Sequence, residues 1–124
     1  MVQMHVFEYR FKNREMLMPE ADEDSMFKPP FELPKWKYDD ESRVFVVFVY
    51  NDGRRKDAIV KTDFSPSIIK GWKIYQLEKV KLVKDGMIND RKATFLIKNM
   101  NAKEKQRIDI FVKGPPEKVM IEVE

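Results

Sequence analysis

Hydrophobic and polar positions along this chain follow mostly the pattern of β-strands. The most regular block, residues 44–50, is a run of β-branched and aromatic residues, followed by Asn51-Asp52-Gly53 and by a second β-prone run at 58–60. Two such runs on either side of a short turn that contains glycine are typical of a β-hairpin. The pattern therefore predicts a hairpin over residues 43–62 and a fold that is mainly β.

A first strand is predicted over residues 1–11, where the apolar side changes partway along the chain. The residues on the first and then on the second face are Val2, Met4 and Val6, followed by Phe7, Tyr9 and Phe11. Further β-prone segments lie at 72–83, 93–98, 107–113 and 119–123, the last as an edge strand, and Asp85-Gly86 marks a turn. About seven short strands with little helix predict a small antiparallel barrel, SH3/Sm-like or OB-like, although a sandwich fits the same periodicity.

Residues 12–41 break the strand pattern and form a long acidic and Pro-aromatic loop. Prolines at positions 29, 30 and 34 exclude a regular helix or a central strand there. The aromatic residues of the loop favour an ordered segment, either a strap packed over the barrel or a surface that docks into a partner. They are Phe27, Phe31, Trp36 and Tyr38.

The length of 124 residues predicts a single domain, in which residues 42–124 form the β body. The chain has no cysteine, so it has neither a disulfide framework nor a thiolate metal site, and an intracellular, cytoplasmic location is expected. For a viral protein that location would be the host cell. No apolar run approaches the length that a bilayer span needs, which predicts no membrane association.

Acidic and basic residues are segregated along the chain. Residues 1–41 hold ten acids and six bases, whereas residues 42–124 hold eleven acids and eighteen bases. An acidic arm joined to a basic body indicates a body that binds anions. A lysine-rich surface that only keeps the protein soluble is the competing interpretation.

The segment 43–83 resembles part of a WYL-type SH3/Sm-like β-barrel domain. The matching positions are Val46-x-Phe48-x-Tyr50-x-x-Gly53 and then Tyr75, Gln76, Leu77, Glu78, Lys79 and Val80, which follow Trp72. The resemblance implies a small β-barrel in a regulatory setting that binds nucleic acid or a nucleotide-like ligand.

Catalytic constellations are missing from the sequence. His5 is the only histidine, so a Ser-His-Asp triad would have to use it, and no phosphate-binding or dinucleotide-binding glycine motif occurs. The acids at 20–24 lack the spacing of a calcium loop and are expected to form a solvated patch. We therefore expect neither an enzyme nor a bound cofactor or metal.

The positive signal is a set of basic residues interleaved with aromatic ones. Small β domains bind single strands by combining cationic grooves with aromatic platforms. The leading hypothesis is a non-enzymatic domain that engages nucleic acid through a basic face, with Trp72 and Phe95 as core residues in the competing interpretation. The predicted nucleic-acid-binding residues are Arg54, Arg55, Lys56, Lys73, Tyr75, Lys79 and Lys81.

Two further hypotheses use other surfaces. A protein-interaction or inhibitory module, of viral or mobile-element origin, would present the acidic segment 19–38 to a protein partner through Phe31, Trp36 and Tyr38. A structural interpretation uses the terminal strand 118–123 for edge pairing into a dimer or larger oligomer.

Overall fold

The computed structural model describes residues 1–83, 90–114 and 117–124. The described residues form nine β-strands and no helix, which confirms the prediction of a mainly β fold. The predicted turn at Asp85-Gly86 lies outside the described residues. The strands are β1 (Val2–Lys12), β2 (Glu15–Leu17), β3 (Ser42–Asn51), β4 (Lys56–Asp63), β5 (Ile68–Ile74), β6 (Val80–Val83), β7 (Lys92–Met100), β8 (Lys105–Lys113) and β9 (Met120–Val123).

The strands form two antiparallel sheets. The first sheet has the order β2-β1-β3-β8-β5, and the second has the order β6-β7-β4-β9. A closed barrel is therefore wrong for this chain, and the predicted SH3-like or OB-like barrel of about seven strands is not confirmed. A barrel requires every strand to have two neighbours, but β5 and β6 follow each other in the chain and still belong to different sheets, each at an edge. The alternative of a two-sheet sandwich describes the structure.

The predicted hairpin over 43–62 is also wrong. β3 pairs with β1 and β8, whereas β4 pairs with β7 and β9, so residues 52–55 carry the chain from one sheet to the other. Local pattern cannot separate the two outcomes, because a turn between two β-prone runs serves both a hairpin and a crossing between layers. The place of β3 in the sheet is set by its long-range partners. Nearly all of its residues are buried, which requires a central position in the sheet.

The core lies between the two sheets and is built from alternate residues of most strands. The change of apolar side in β1 is confirmed, because Val2, Met4 and Val6 pack against this core while Phe7, Tyr9 and Phe11 face away from it. β8, which covers the predicted segment 107–113, contributes alternate residues to this core. These are Ile108, Ile110 and Val112.

The outer face of the first sheet is covered by residues 18–41, which we call the strap. Phe27 is buried against β1 and β3, and the hydroxyl of Tyr9 donates a hydrogen bond of 2.6 Å to the carbonyl of Pro30. The strap is irregular, as predicted, but residues 12–17 lie in β1, the β1–β2 turn and β2 rather than in the loop. Of the two predicted roles, the structure shows the packed strap.

The strap lies close to β5 at Gly71. A Cβ atom at this position would lie 3.0 Å from Nε1 and 3.2 Å from Cε2 of Trp36. The Trp36 ring also stacks on Phe111 of β8, with 5.4 Å between the ring centroids. The missing side chain of Gly71 therefore lets the indole lie flat against the sheet.

Candidate nucleic-acid interface

Several strands begin or end together at one end of the sandwich, which we call the Asn51 end. There Val2 of β1 pairs with Asn51 of β3, and Lys56 of β4 pairs with Met100 of β7. The side chain of Asn51 is fully buried and its amide group donates hydrogen bonds of 2.8 Å to the carbonyls of Arg54 and Met100. Its Oδ1 accepts a hydrogen bond of 3.0 Å from the N–H of Gly53. One side chain thus shapes the turn and links the two sheets.

This turn projects three of the predicted residues into solvent. Arg54, Arg55 and Lys56 are exposed, and none of them takes part in an ion pair with another described residue. Their charges are therefore available to an external anion.

Lys79 lies at the same end but is engaged internally. Its ammonium group donates a hydrogen bond of 2.6 Å to the carbonyl of Asn99 and lies 3.2 Å from a carboxylate oxygen of Glu104. Burial of Glu104 disfavours its charged form, but hydrogen bonds from Gln106 and Lys79 outweigh that effect and lower the pKa of this carboxyl group. Lys79 therefore acts first as a structural cation that ties the start of β6 to the end of β7 and to the residue before β8.

Lys73 and Tyr75 lie elsewhere, around a buried ion pair on the outer face of the first sheet. Asp109 of β8 is fully buried and accepts two hydrogen bonds of 2.8 Å from Arg107 and one of 2.5 Å from the Tyr75 hydroxyl. The Arg107 guanidinium lies 4.6 Å and the Lys73 ammonium 4.9 Å from the centroid of the Tyr75 ring. Burial, together with the hydrogen bond to Asp109, raises the pKa of Tyr75. The ring predicted as a stacking platform is thus held inside a network of the protein itself.

Lys81 occupies a third place. It is exposed on β6, at the edge of the second sheet, and its neighbours in the strand, Val80 and Leu82, face the core. The structure therefore brings Arg54, Arg55, Lys56 and Lys79 to the Asn51 end and places Lys73 and Tyr75 on the outer face of the first sheet. Lys81 lies on the edge strand β6, two residues after Lys79. Of the two aromatic residues in the competing interpretation, Phe95 is fully buried in the core and Trp72 is 38% exposed.

Two further cations lie at the Asn51 end, and sequence reasoning placed neither of them beside Arg54. Lys103 is exposed in the β7–β8 turn, whose backbone is tied to β3 by a hydrogen bond of 2.6 Å from the Lys103 N–H to the Asn51 carbonyl. Exposed Lys98 is tied to the start of β6, because its N–H donates to the Lys79 carbonyl at 2.7 Å. These residues are far from Arg54 in sequence, so only the pairing of the strands could have revealed them.

The three residues predicted to bind a partner all lie in the strap, but they differ in exposure. Tyr38 stacks on Phe11 with 4.2 Å between the ring centroids, its hydroxyl donates to the Pro34 carbonyl, and burial raises its pKa to about 12. Trp36 packs on the sheet as described above. Phe31 is 83% exposed and is the one of the three that points away from the protein.

Other kinds of site find little support in the part of the chain that the structure describes. Its single histidine and its carboxylates form no cluster of three that could hold a metal ion. It also contains no helix that is long and apolar enough to cross a membrane. Comparisons with protein-family models, curated proteins and solved structures give no match to this chain.

Proposed function

We propose that this protein is a non-enzymatic domain that binds nucleic acid at its Asn51 end. The observation that supports the proposal is the turn held by Asn51, which presents Arg54, Arg55 and Lys56 to solvent without carboxylate partners among the described residues. Lysines from the ends of two other strands lie at the same end of the sandwich. Cations at fixed spacing on a rigid turn are suited to a chain of phosphates.

The contacts are expected to be mainly to phosphate. Tyr75 is 41% exposed, but its ring contacts the cations of Lys73 and Arg107 and its hydroxyl is held by Asp109, so stacking on a base would compete with these contacts. Contacts to phosphate carry no sequence information directly, because sequence is read at the edges of the bases. The protein should therefore bind single strands of different sequence with similar affinity.

Salt dependence provides the test. Three phosphate contacts to a single strand predict that log affinity falls with log salt concentration with a slope of about −2. The affinity of a fluorescently labelled oligonucleotide, measured by anisotropy across a salt series, should show this slope for the wild type and lose most of it in the variant Arg54→Glu/Arg55→Glu/Lys56→Glu.

A matched control separates local contacts from net charge. Lys12, Arg91 and Lys118 are exposed and lie at or beside strand ends remote from the Asn51 turn, so their replacement by glutamate changes the total charge by the same amount. This control should retain most of the affinity and the slope. Equal loss in both variants, or wild-type affinity that does not change with salt, would remove the proposed interface.

The finer predictions about this body agree with the proposal and stay predictions. They are the resemblance of residues 43–83 to WYL-type domains, the SH3-like or OB-like identity, and an intracellular location. Each implies or allows a binding domain rather than an enzyme.

A protein partner is the second candidate, and it is favoured by apolar side chains exposed around the acidic segment. Met26 is 56% exposed and Phe31 is 83% exposed, while Leu17 and Met18 line a surface cleft of about 590 Å³ next to Glu20. Because the strap covers its own sheet, deletion of 19–38 would damage the fold. The sharper variant is Phe31→Ser, which should abolish crosslinking to a protein partner without changing thermal stability. Unchanged crosslinking would exclude Phe31 as the anchor.

A further inference from the structure

The two edges of the second sheet carry opposite charges. β6 forms one edge with exposed Lys81, and β9 forms the other edge with exposed Glu122. Neither side chain has an ion-pair partner among the described residues. Within the described chain β6 pairs only with β7, and β9 pairs only with β4. Among the described residues, each edge thus carries backbone groups without a strand partner beside a charge without an ion-pair partner, although β9 also lies close to β1.

The directions of the two strands allow them to pair between molecules. Successive neighbours in the order β6-β7-β4-β9 are all antiparallel, so β6 and β9 run in opposite directions. A second copy placed beside the first in the same orientation therefore brings its β6 antiparallel to the β9 of the first copy. Both strands have four residues, so the whole of each edge can be paired.

One register of β6 against β9 places compatible side chains opposite each other at all four positions. If Lys81 stands opposite Glu122, then Val83 stands opposite Met120, and these two side chains are 36% and 40% exposed in the single chain. The remaining positions continue the core layer, because the facing residues all pack partly or fully against the core of their own molecule. They are Val80 opposite Val123 and Leu82 opposite Ile121.

Like-with-like pairing is disfavoured by the same charges. Two β6 strands would bring together two copies of Lys81, and two β9 strands would bring together two copies of Glu122. Like charges on adjacent strands are destabilising, whereas opposite charges are stabilising. Each edge strand is therefore expected to pair with the opposite edge strand of a second copy of this chain.

We infer that copies of this protein associate head to tail, with β6 of one copy pairing with β9 of the next. Such a contact leaves a free β6 and a free β9 at the two ends, so it extends to longer assemblies unless the rotation between copies closes a ring. The interface is small, so association is weak and depends on concentration. This association does not depend on the proposed binding of nucleic acid.

Charge reversal tests the inference. The weight-average mass of nuclease-treated protein, measured by sedimentation equilibrium, should rise with concentration above that of one chain. Lys81→Glu and Glu122→Lys should each weaken association by about fivefold or more, because each places like charges opposite one another. An equimolar mixture of the two variants should associate again. In the mixture the introduced glutamate of one variant faces the introduced lysine of the other, and the native Lys81 and Glu122 face each other at the next contact.

Controls make each outcome decisive. Arg55→Glu lies in the proposed nucleic-acid interface and should leave the association unchanged, so the two proposals fail separately. Met120→Lys adds a charge to the apolar part of the interface and should also prevent association. A wild-type mass that stays at one chain at all concentrations, or single variants that associate as the wild type does, or a mixture that stays dissociated, would each overturn the inference.

Discussion

Replacement of Asn51 by aspartate tests the link between the turn and the two sheets. The change keeps the size of the side chain and the oxygen that accepts from Gly53. It removes the amide N–H groups that donate to the carbonyls of Arg54 and Met100, each at 2.8 Å. The new carboxylate oxygen would face those two carbonyl oxygens inside a fully buried site.

The magnitude follows from these contacts. Each lost hydrogen bond contributes about 0.5–1.5 kcal/mol, and a buried carbonyl left without a donor adds a further penalty of about 1–3 kcal/mol. The variant Asn51→Asp should therefore lower the free energy of unfolding by about 2–5 kcal/mol at neutral pH.

The loss should depend on pH with a defined sign. Burial next to carbonyl oxygens disfavours the carboxylate, so the pKa of the carboxyl group introduced at position 51 is higher in the folded variant than in the unfolded chain. The folded state then binds the proton more tightly, and the protonated acid can donate one hydrogen bond again. Stability is highest below the unfolded pKa and is lost as the pH rises through the folded pKa.

Urea denaturation at acidic and neutral pH measures the effect. Gln3→Glu serves as the control, because Gln3 is exposed and lies near the same end of the sheet, opposite Tyr50. The difference in unfolding free energy between Asn51→Asp and this control should shrink clearly on acidification. A difference that is equal at both pH values, or below about 0.5 kcal/mol throughout, would refute the argument that the Asn51 amide holds the turn.

Three further predictions concern other buried contacts. Asp109→Asn leaves Arg107 without its carboxylate and should lower the free energy of unfolding by about 3–5 kcal/mol in chemical denaturation. Gly71→Ala forces the indole of Trp36 away from the sheet and should cost about 1–3 kcal/mol with a shift in tryptophan fluorescence, whereas an unchanged spectrum would argue against the close contact. The lowered pKa of Glu104 means that its stabilisation is present above the unfolded pKa and is lost as the pH falls through the folded pKa. Glu104→Gln should therefore reduce the loss of stability on acidification, and an unaltered pH profile would contradict this.

Residues 1–11 show how much local pattern can predict. The change of apolar face within β1 was readable because successive side chains of a strand point to opposite sides, whatever the strand pairs with. The strap was readable for a similar reason: prolines exclude a strand, and Phe27 with its neighbouring aromatics needs to be buried. Both of these predictions were confirmed, except that residues 12–17 lie in β1, the β1–β2 turn and β2.

Local pattern could not predict which strands pair with each other. The run at 44–50 looks the same in a hairpin and in a crossing between sheets, and the choice was made by β8, which begins more than fifty residues later. The basic residues show the same limit. Arg54 and Lys103 share one end of the sandwich, whereas Lys73 is drawn into the surroundings of the buried Asp109.

The sequence by itself determined the class of fold, most of the strands, the change of buried face along β1, and the excess of basic residues after position 41. The tertiary structure alone decided which strands are neighbours, which cations stand together in solvent and which edges remain free. The physical reason is that side-chain alternation and proline are local constraints, whereas sheet pairing is a competition among distant segments for the same backbone hydrogen bonds and the same core.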